Sequence, residues 1–182
     1  MTIIRDKSGL KKKFYPKFHI VFSENINHHI FSAQKKSQNK STNIILSLDK
    51  DKNFNRKSEN CLGKIRSNFV GTQFHIYDNG ENPKKKSKPF MSIRREYGYI
   101  EYEKNIMGLK GPWKLRVTIP KYNEDYEDFK SLSRGSGIKY ATKLATERVH
   151  YFMNKSPQWN EEMQAFVLDF FNRCSLASVK NF

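Results

Sequence analysis

The stretch Trp113–Ile119, which reads WKLRVTI, decides the fold class of this chain. Its apolar residues alternate one for one with lysine, arginine and threonine. Successive side chains of a β-strand point to opposite faces, so this alternation puts the apolar side chains on one face and the polar ones on the other. The stretch therefore predicts a strand of an antiparallel sheet with one face in water.

The same kind of pattern recurs along the chain, with turn-forming residues between the runs. Thr72–Tyr77 alternates in the same way, and Asp78-Asn79-Gly80 follows it with residues that tolerate positive φ. Many short strands separated by such turns predict an antiparallel sandwich or barrel. The other β-rich runs are Lys17–Phe22, His28–Ala33, Asn43–Leu48, Gly98–Tyr102 and Ala165–Phe171.

One stretch, Ile138–Met153, has apolar residues near the 3.6-residue period of an amphipathic helix. Its second half, from Arg148 onward, is rich in residues that favour strands. We therefore expect a short helix only near residues 138–146.

Size and charge restrict the protein class. The chain has 182 residues, of which 37% are hydrophobic and 14% aromatic, so we expect one folded domain over residues 1–182. The net charge is +16. Residues 1–60 and 61–122 each hold 13 basic against 5 acidic residues, whereas residues 123–182 hold 8 of each. The first two thirds of the chain should therefore attract an anionic partner.

Several functional classes lack support in the sequence. Cys61 and Cys174 are far apart, which argues against a disulfide scaffold and favours a reducing compartment. The five histidines show no metal-ligand spacing, so we expect neither a metal nor another cofactor. Arg134–Gly137 lacks the further residues of a nucleotide loop, and no nucleophile motif is present, so we expect no catalytic residues and no enzyme. The N-terminus has no signal-peptide pattern and no run is long enough to span a membrane.

Basic residues cluster at three places. Lys84–Lys88 is either a phosphate-binding or nuclear-import segment or a solvated loop, and composition alone leaves both open. Arg94-Arg95 and Lys64-Ile65-Arg66 lie in or beside predicted strands, where a rigid backbone can aim an arginine fork at phosphate oxygens. Ordinary charges on a wet strand face are the alternative for each residue taken alone.

Five blocks, taken together and in order, resemble the C-terminal domain of the tubby family. They are Gly63–Thr72 (GKIRSNFVGT), Tyr77–Pro83 (YDNGENP), Tyr102–Pro112 (YEKNIMGLKGP), Asn154–Asn160 (NKSPQWN) and Ala177–Phe182 (ASVKNF). The resemblance covers essentially the whole chain.

The resemblance implies a mainly β fold, a closed antiparallel barrel of twelve strands around a central hydrophobic helix. Relative to that pattern, the sequence stops at Phe182, before the last strands and the helix. We therefore expect an incomplete barrel. A wide lumen without its helix, and an open strand edge, predict marginal stability for the chain alone.

The resemblance also implies a ligand and its site. Tubby domains bind phosphatidylinositol 4,5-bisphosphate through a basic pocket, and by this likeness Lys35 and Arg66 contact the headgroup phosphates. Ser37 stands where a second basic residue is expected. Lys36, Lys40 and Lys64 are candidate accessory residues that could compensate.

The family role implies a monomeric, membrane-tethered adaptor, in the cytoplasm and peripheral at the plasma membrane or cilium, acting in receptor or ciliary trafficking. Two alternatives stay open. One is a nucleic-acid-binding or transcription-associated module in the nucleus, which would use the basic loop Lys84–Lys88. The other is a degenerate fragment without independent activity.

Overall fold

A computed structural model describes residues 1–6, 15–36, 41–51, 54–82, 93–103, 114–121, 138 and 146–171. These residues are mainly β, which confirms the predicted fold class. The described residues contain eleven strands: β1 (Thr2–Asp6), β2 (Lys17–Val21), β3 (His29–Lys35), β4 (Asn43–Ser47), β5 (Cys61–Ser67), β6 (Gln73–Asp78), β7 (Glu96–Glu103), β8 (Lys114–Pro120), β9 (Val149–Met153), β10 (Gln158–Asn160) and β11 (Ala165–Val167).

Strands β1 to β9 form a single sheet in chain order, and every neighbouring pair is antiparallel. Strands β10 and β11 form a separate hairpin. Within the described residues the two edge strands, β1 and β9, each pair with one neighbour, so this sheet is open. The order matches a meander, in which each strand returns beside the one before it.

The alternating stretches became strands, as predicted. Strand β8 covers all of the opening stretch except Trp113, which lies outside the described residues. The run at Ala165–Phe171 is a strand only as far as Val167. Strands β1 and β10 were missed, because β1 carries two charges in five residues and β10 has only three residues.

The predicted helix near residues 138–146 falls almost wholly outside the described residues, so it stays a prediction. Ile138 is fully buried, and residues Thr146–Arg148 form one 3₁₀ turn that leads into β9. None of the described residues belongs to a helix with the length and apolar character that a bilayer crossing needs. The segments Lys11–Lys13, Lys84–Lys88 and Arg134–Gly137 also lie outside the described residues.

The strand register assigns side chains to the two faces of the sheet. Along β3, β4 and β5, Gln34 faces Ile45, which faces Lys64; this row lies on what we call the pocket face. The neighbouring row, Lys35 with Ile44 and Ile65, lies on the opposite face. Two small buried clusters anchor the fold: Ile45 with Phe54 and Cys61, and Tyr99 with Ile138 and Val149.

Candidate functional site

A cavity of about 510 Å³ lies on the pocket face over β4 and β5. It is open to solvent, and among the described residues its lining contains four cationic side chains and no carboxylate. We call it the basic pocket. Its lining residues are Lys36, Asn43, Ile45, Phe54, Asn55, Arg56, Lys64 and Arg66.

Strand pairing brings the sheet residues of the pocket together. Arg66 faces Asn43 across the β4–β5 ladder, and Lys64 faces Ile45 two positions along. Residues at alternate positions share one face, so both basic side chains of β5 point the same way. The backbone nitrogen of Lys36 donates to the oxygen of Asn43 at 2.8 Å, which extends the row beyond the end of β3. The ladder thus places Lys36, Asn43 and Arg66 side by side.

The loop between β4 and β5 supplies the other wall. Phe54 is buried and packs with Ile45 and Cys61, and this contact fixes the loop on the sheet. Two residues later, Arg56 donates from Nη2 to the oxygen of Gly80 at 2.9 Å and to Glu81 Oε2 at 3.3 Å. Gly80 and Glu81, which follow the end of β6, therefore hold the Arg56 side chain over the pocket.

Lys64 carries a buried positive charge at the pocket. Its surface is only 5% exposed. Burial first, and then the positive charges of Arg56, Arg94 and Arg66, together lower the pKa of Lys64 from 10.5 to about 8, against an opposing effect of Glu81. No described carboxylate lies within ion-pair distance of its ammonium group. An anion in the pocket would relieve both the desolvation and the repulsion.

Arg94 extends the positive surface beyond the pocket. Its guanidinium lies over the ring of Tyr77 at 4.1 Å, and Tyr77 faces Lys64 across the β5–β6 ladder. Burial and the nearby Glu96 raise the pKa of Tyr77, so its ring stays a neutral platform for the guanidinium. Cationic groups therefore lie on β5, at Lys64 and Arg66, and over β6, at Arg94.

The side chain of Asn43 lines the pocket and holds a hydrogen-bond acceptor that is unpaired within the described residues. Its Oδ1 is buried and has no hydrogen-bond partner among the described residues. Buried amide oxygens are normally paired. Because Oδ1 is buried, the groups that the pocket presents to a ligand are its cations rather than this oxygen.

The pocket suits an anion rather than a metal ion. Across the part of the chain that the structure describes, no group of three or more His, Cys, Asp or Glu side chains is arranged to hold a metal. The buried Glu96 lies on β7, two strands away from β5, where it pairs with His75 and accepts from the nitrogen of Ile138 at 2.9 Å. Its charge is thus compensated by its own partners.

The sequence model of the Tub family matches residues 1–182. The chain belongs to the tubby family. It is 37% identical to Tubby protein homolog 1 of Caenorhabditis briggsae, over all of this chain and 45% of that protein. It is 34% identical to Tubby-related protein 2 and to Tubby-related protein 3 of Mus musculus, over 99% of this chain and 33% and 40% of those proteins. This tubby-family chain thus spans less than half the length of these relatives, whose names are not those of enzymes.

The structure brings three of the five residues predicted for the tubby-type site into the pocket, namely Lys36, Lys64 and Arg66. Lys35 lies next to the pocket in sequence, but its register position opposite Ile44 puts it on the other face of the sheet. Lys40, like Ser37, lies outside the described residues.

Sequence reasoning missed Arg56 and Asn43 as pocket residues. Arg56 is one basic residue in a polar loop, and only its tether to Gly80 and Glu81 brings it over β5. Asn43 begins a β-rich run and has no motif of its own. Its place in the pocket comes from its pairing with Arg66, which the sequence pattern does not reveal.

Proposed function

We propose that this tubby-family chain binds the headgroup of phosphatidylinositol 4,5-bisphosphate in the basic pocket. The observation that carries the proposal is the pocket lining, in which Lys36, Arg56, Lys64 and Arg66 converge without a described carboxylate among them. A volume of about 510 Å³ falls within the usual range for small-ligand sites. Membership of the tubby family agrees with this ligand class.

The four cations differ in what they offer a phosphate. Arg66 and Arg56 carry planar forks that can donate two parallel hydrogen bonds to phosphate oxygens. Lys36 and Lys64 act as point charges. Each charge-assisted contact contributes on the order of 1.5–3 kcal/mol. The two arginine forks and the two lysine charges are the groups that we assign to the phosphates of the headgroup.

The roles assigned by family likeness to Lys35 and Arg66 remain separate proposals. Arg66 lines the pocket, which supports its role. Lys35 leaves the sheet on the opposite face, and its long side chain would have to curl around the end of β3 to reach the same ligand. In our proposal Lys36, rather than Lys35, contacts the ligand beside Arg66. Lys40 stays a candidate accessory residue.

The wider role that we propose is that of a protein which binds a lipid headgroup and does not transform it. We infer a cytoplasmic, monomeric, non-catalytic adaptor that is peripheral at the plasma membrane or cilium and takes part in receptor or ciliary trafficking. Support comes from the family and from the net charge of +16, since basic residues near an anionic leaflet contribute about 1 kcal/mol each. A purely electrostatic nucleic-acid binder is the competing function.

One competition measurement separates these functions. The chain is mixed with vesicles that contain or lack the bisphosphorylated lipid, against duplex DNA at equal phosphate concentration and physiological salt. Preference for the lipid-containing vesicles, lost in Arg66→Ala, is the expected result. Equal binding to every polyanion, falling steeply with salt, would replace the proposal with nonspecific electrostatic binding. Absence of binding to all three would indicate a fragment without independent activity.

A further inference from the structure

The turn between β5 and β6 exposes two neighbouring apolar side chains. Phe69 is 78% exposed and Val70 is 66% exposed. They stand in a tight turn, Asn68–Thr72, that projects beyond the sheet rather than lying on one of its faces. A phenylalanine and a valine held side by side in water form a small apolar tip with no described covering.

Hydrogen bonds fix the shape of this turn. Asn68 Oδ1 accepts from the backbone nitrogens of Thr72 at 2.9 Å and Gln73 at 3.2 Å, and Asn68 Nδ2 donates to Thr72 Oγ1 at 3.0 Å. Gly71 has a φ of +74°, a conformation that glycine adopts without steric cost. The apolar tip is therefore presented by a preorganised turn, and little conformational entropy is lost when it meets a partner.

The tip lies at the end of the sheet that carries the basic pocket. Phe69 follows Arg66 by three residues, so their Cα atoms are at most about 11 Å apart. The nitrogen of Ser67 donates to the oxygen of Thr42 at 3.0 Å, and the nitrogen of Thr42 donates to Ser67 Oγ at 2.9 Å. These bonds join the base of the turn to the start of β4, directly beside the pocket residue Asn43.

We propose that Phe69 and Val70 enter the interfacial region of a lipid bilayer while the basic pocket holds a lipid headgroup, an inference that rests on the proposed function. A membrane-anchored headgroup holds the protein at the bilayer surface, so apolar groups beside the pocket reach the boundary between headgroups and acyl chains. Burial of apolar area there adds to the electrostatic attraction.

Charge distinguishes this tip from the β10–β11 turn, which also exposes a large apolar side chain. Met163 is well exposed too, but Glu161 and Glu162 precede it in the same turn and would be repelled by an anionic leaflet. The segment Ser67–Gln73 holds no acidic residue. The β5–β6 turn therefore fits a negatively charged membrane surface, whereas the β10–β11 turn does not.

The test compares Phe69→Ser with Phe22→Ser. Phe22 is also exposed, but it lies in the β2–β3 turn at the opposite end of the sheet. Binding is measured to phosphatidylcholine vesicles that contain phosphatidylinositol 4,5-bisphosphate and, by calorimetry, to soluble inositol 1,4,5-trisphosphate. Phe69→Ser should weaken vesicle binding about tenfold, because partial insertion of a phenylalanine is lost. Its affinity for the soluble headgroup should be unchanged, and Phe22→Ser should alter neither.

Two further outcomes keep the inference apart from the proposed function. Equal vesicle affinity of wild type and Phe69→Ser, with headgroup binding intact, would overturn the insertion alone. Failure of the wild type to bind the soluble headgroup would overturn the proposed function and this inference with it. Phe69→Leu, which keeps an apolar side chain in the turn, should bind vesicles within about twofold of wild type. If Phe69→Leu binds as weakly as Phe69→Ser, the tip acts through the aromatic ring or the turn shape, and insertion is refuted.

Discussion

Replacement of Lys64 by methionine should make the protein more stable and its pocket weaker. Methionine keeps the length of the aliphatic side chain and removes the ammonium group. The pKa of Lys64 falls from 10.5 to about 8 in the folded chain. At about 1.36 kcal/mol per pKa unit, the charged form of Lys64 costs the folded state roughly 3 kcal/mol at pH 7. Lys64→Met should therefore raise the free energy of unfolding by about that amount.

The effect has a defined pH dependence. The folded pKa of Lys64 lies below the unfolded value, so between pH 8 and pH 10.5 the unfolded chain binds more protons than the folded chain. The stability of the wild type therefore rises with pH through this window, as the folded protein loses the costly charge. The advantage of Lys64→Met should shrink from about 3 kcal/mol at pH 7 to about 1 kcal/mol at pH 10.

Urea unfolding, followed by far-ultraviolet circular dichroism at pH 7 and pH 10, measures these differences. Lys57→Met is the matched control, because Lys57 lies in the loop between β4 and β5 with its side chain in water, whereas Lys64 is buried on β5. It should change stability by less than about 0.5 kcal/mol at either pH. If Lys64→Met is no more stable than wild type at pH 7, or if the difference in their free energies of unfolding does not change with pH, the charge of Lys64 does not destabilise the folded protein. The affinity for the headgroup should fall in Lys64→Met, because the substitution removes the buried ammonium group that a bound phosphate would pair with.

Four other substitutions test the pocket and its supports. Lys36→Ala should lower headgroup affinity at least fivefold and Lys35→Ala less than twofold, because the register puts only Lys36 on the pocket face; equal losses by calorimetry would show that both lysines reach the ligand. Glu81→Gln should raise headgroup affinity two- to fivefold, since it frees Arg56 from its described carboxylate partner, and a decrease would mean that this pair positions the arginine. Gly63→Ala should lower the melting temperature by more than 10 °C or prevent folding, because a Cβ there would lie 2.1 Å from a carbonyl oxygen of β6; a melt within a few degrees of wild type would contradict that packing.

The fold was predictable where one strand face is apolar and the other polar. In β8 the alternation of Leu115, Val117 and Ile119 with polar residues is unbroken, and it correctly predicted a strand. The prediction of which face is wet was wrong, because Thr118 is buried and Ile119 is 42% exposed. β1 gave no such signal, because its pairing with β2 comes from backbone hydrogen bonds and most of its side chains stay exposed. The pairing order of the strands cannot be read from periodicity; family likeness supplied the fold.

The candidate site was predictable only in part, for a physical reason. Arg66 and Lys64 share a strand, and a two-residue spacing places both on one face by local geometry alone. Arg56 reaches the pocket through a tertiary contact with Gly80 and Glu81, which no local pattern encodes. Lys35 stays a prediction from family likeness, but a shift of one residue along a strand moves a side chain to the other face, and the register puts Lys35 on the face opposite the pocket.

Whether the basic pocket is a specific headgroup site is decided by the affinity of the protein for the soluble headgroup, inositol 1,4,5-trisphosphate. This affinity is measured by calorimetry at physiological salt for wild type, Arg66→Ala and Arg5→Ala. Arg5 is exposed on the edge strand β1, so its removal changes the net charge equally without touching the pocket. We predict a loss of roughly ten- to hundredfold for Arg66→Ala, equivalent to one charge-assisted phosphate contact, and less than twofold for Arg5→Ala. Equal losses in the two variants, or no measurable binding by the wild type, would contradict a specific headgroup pocket.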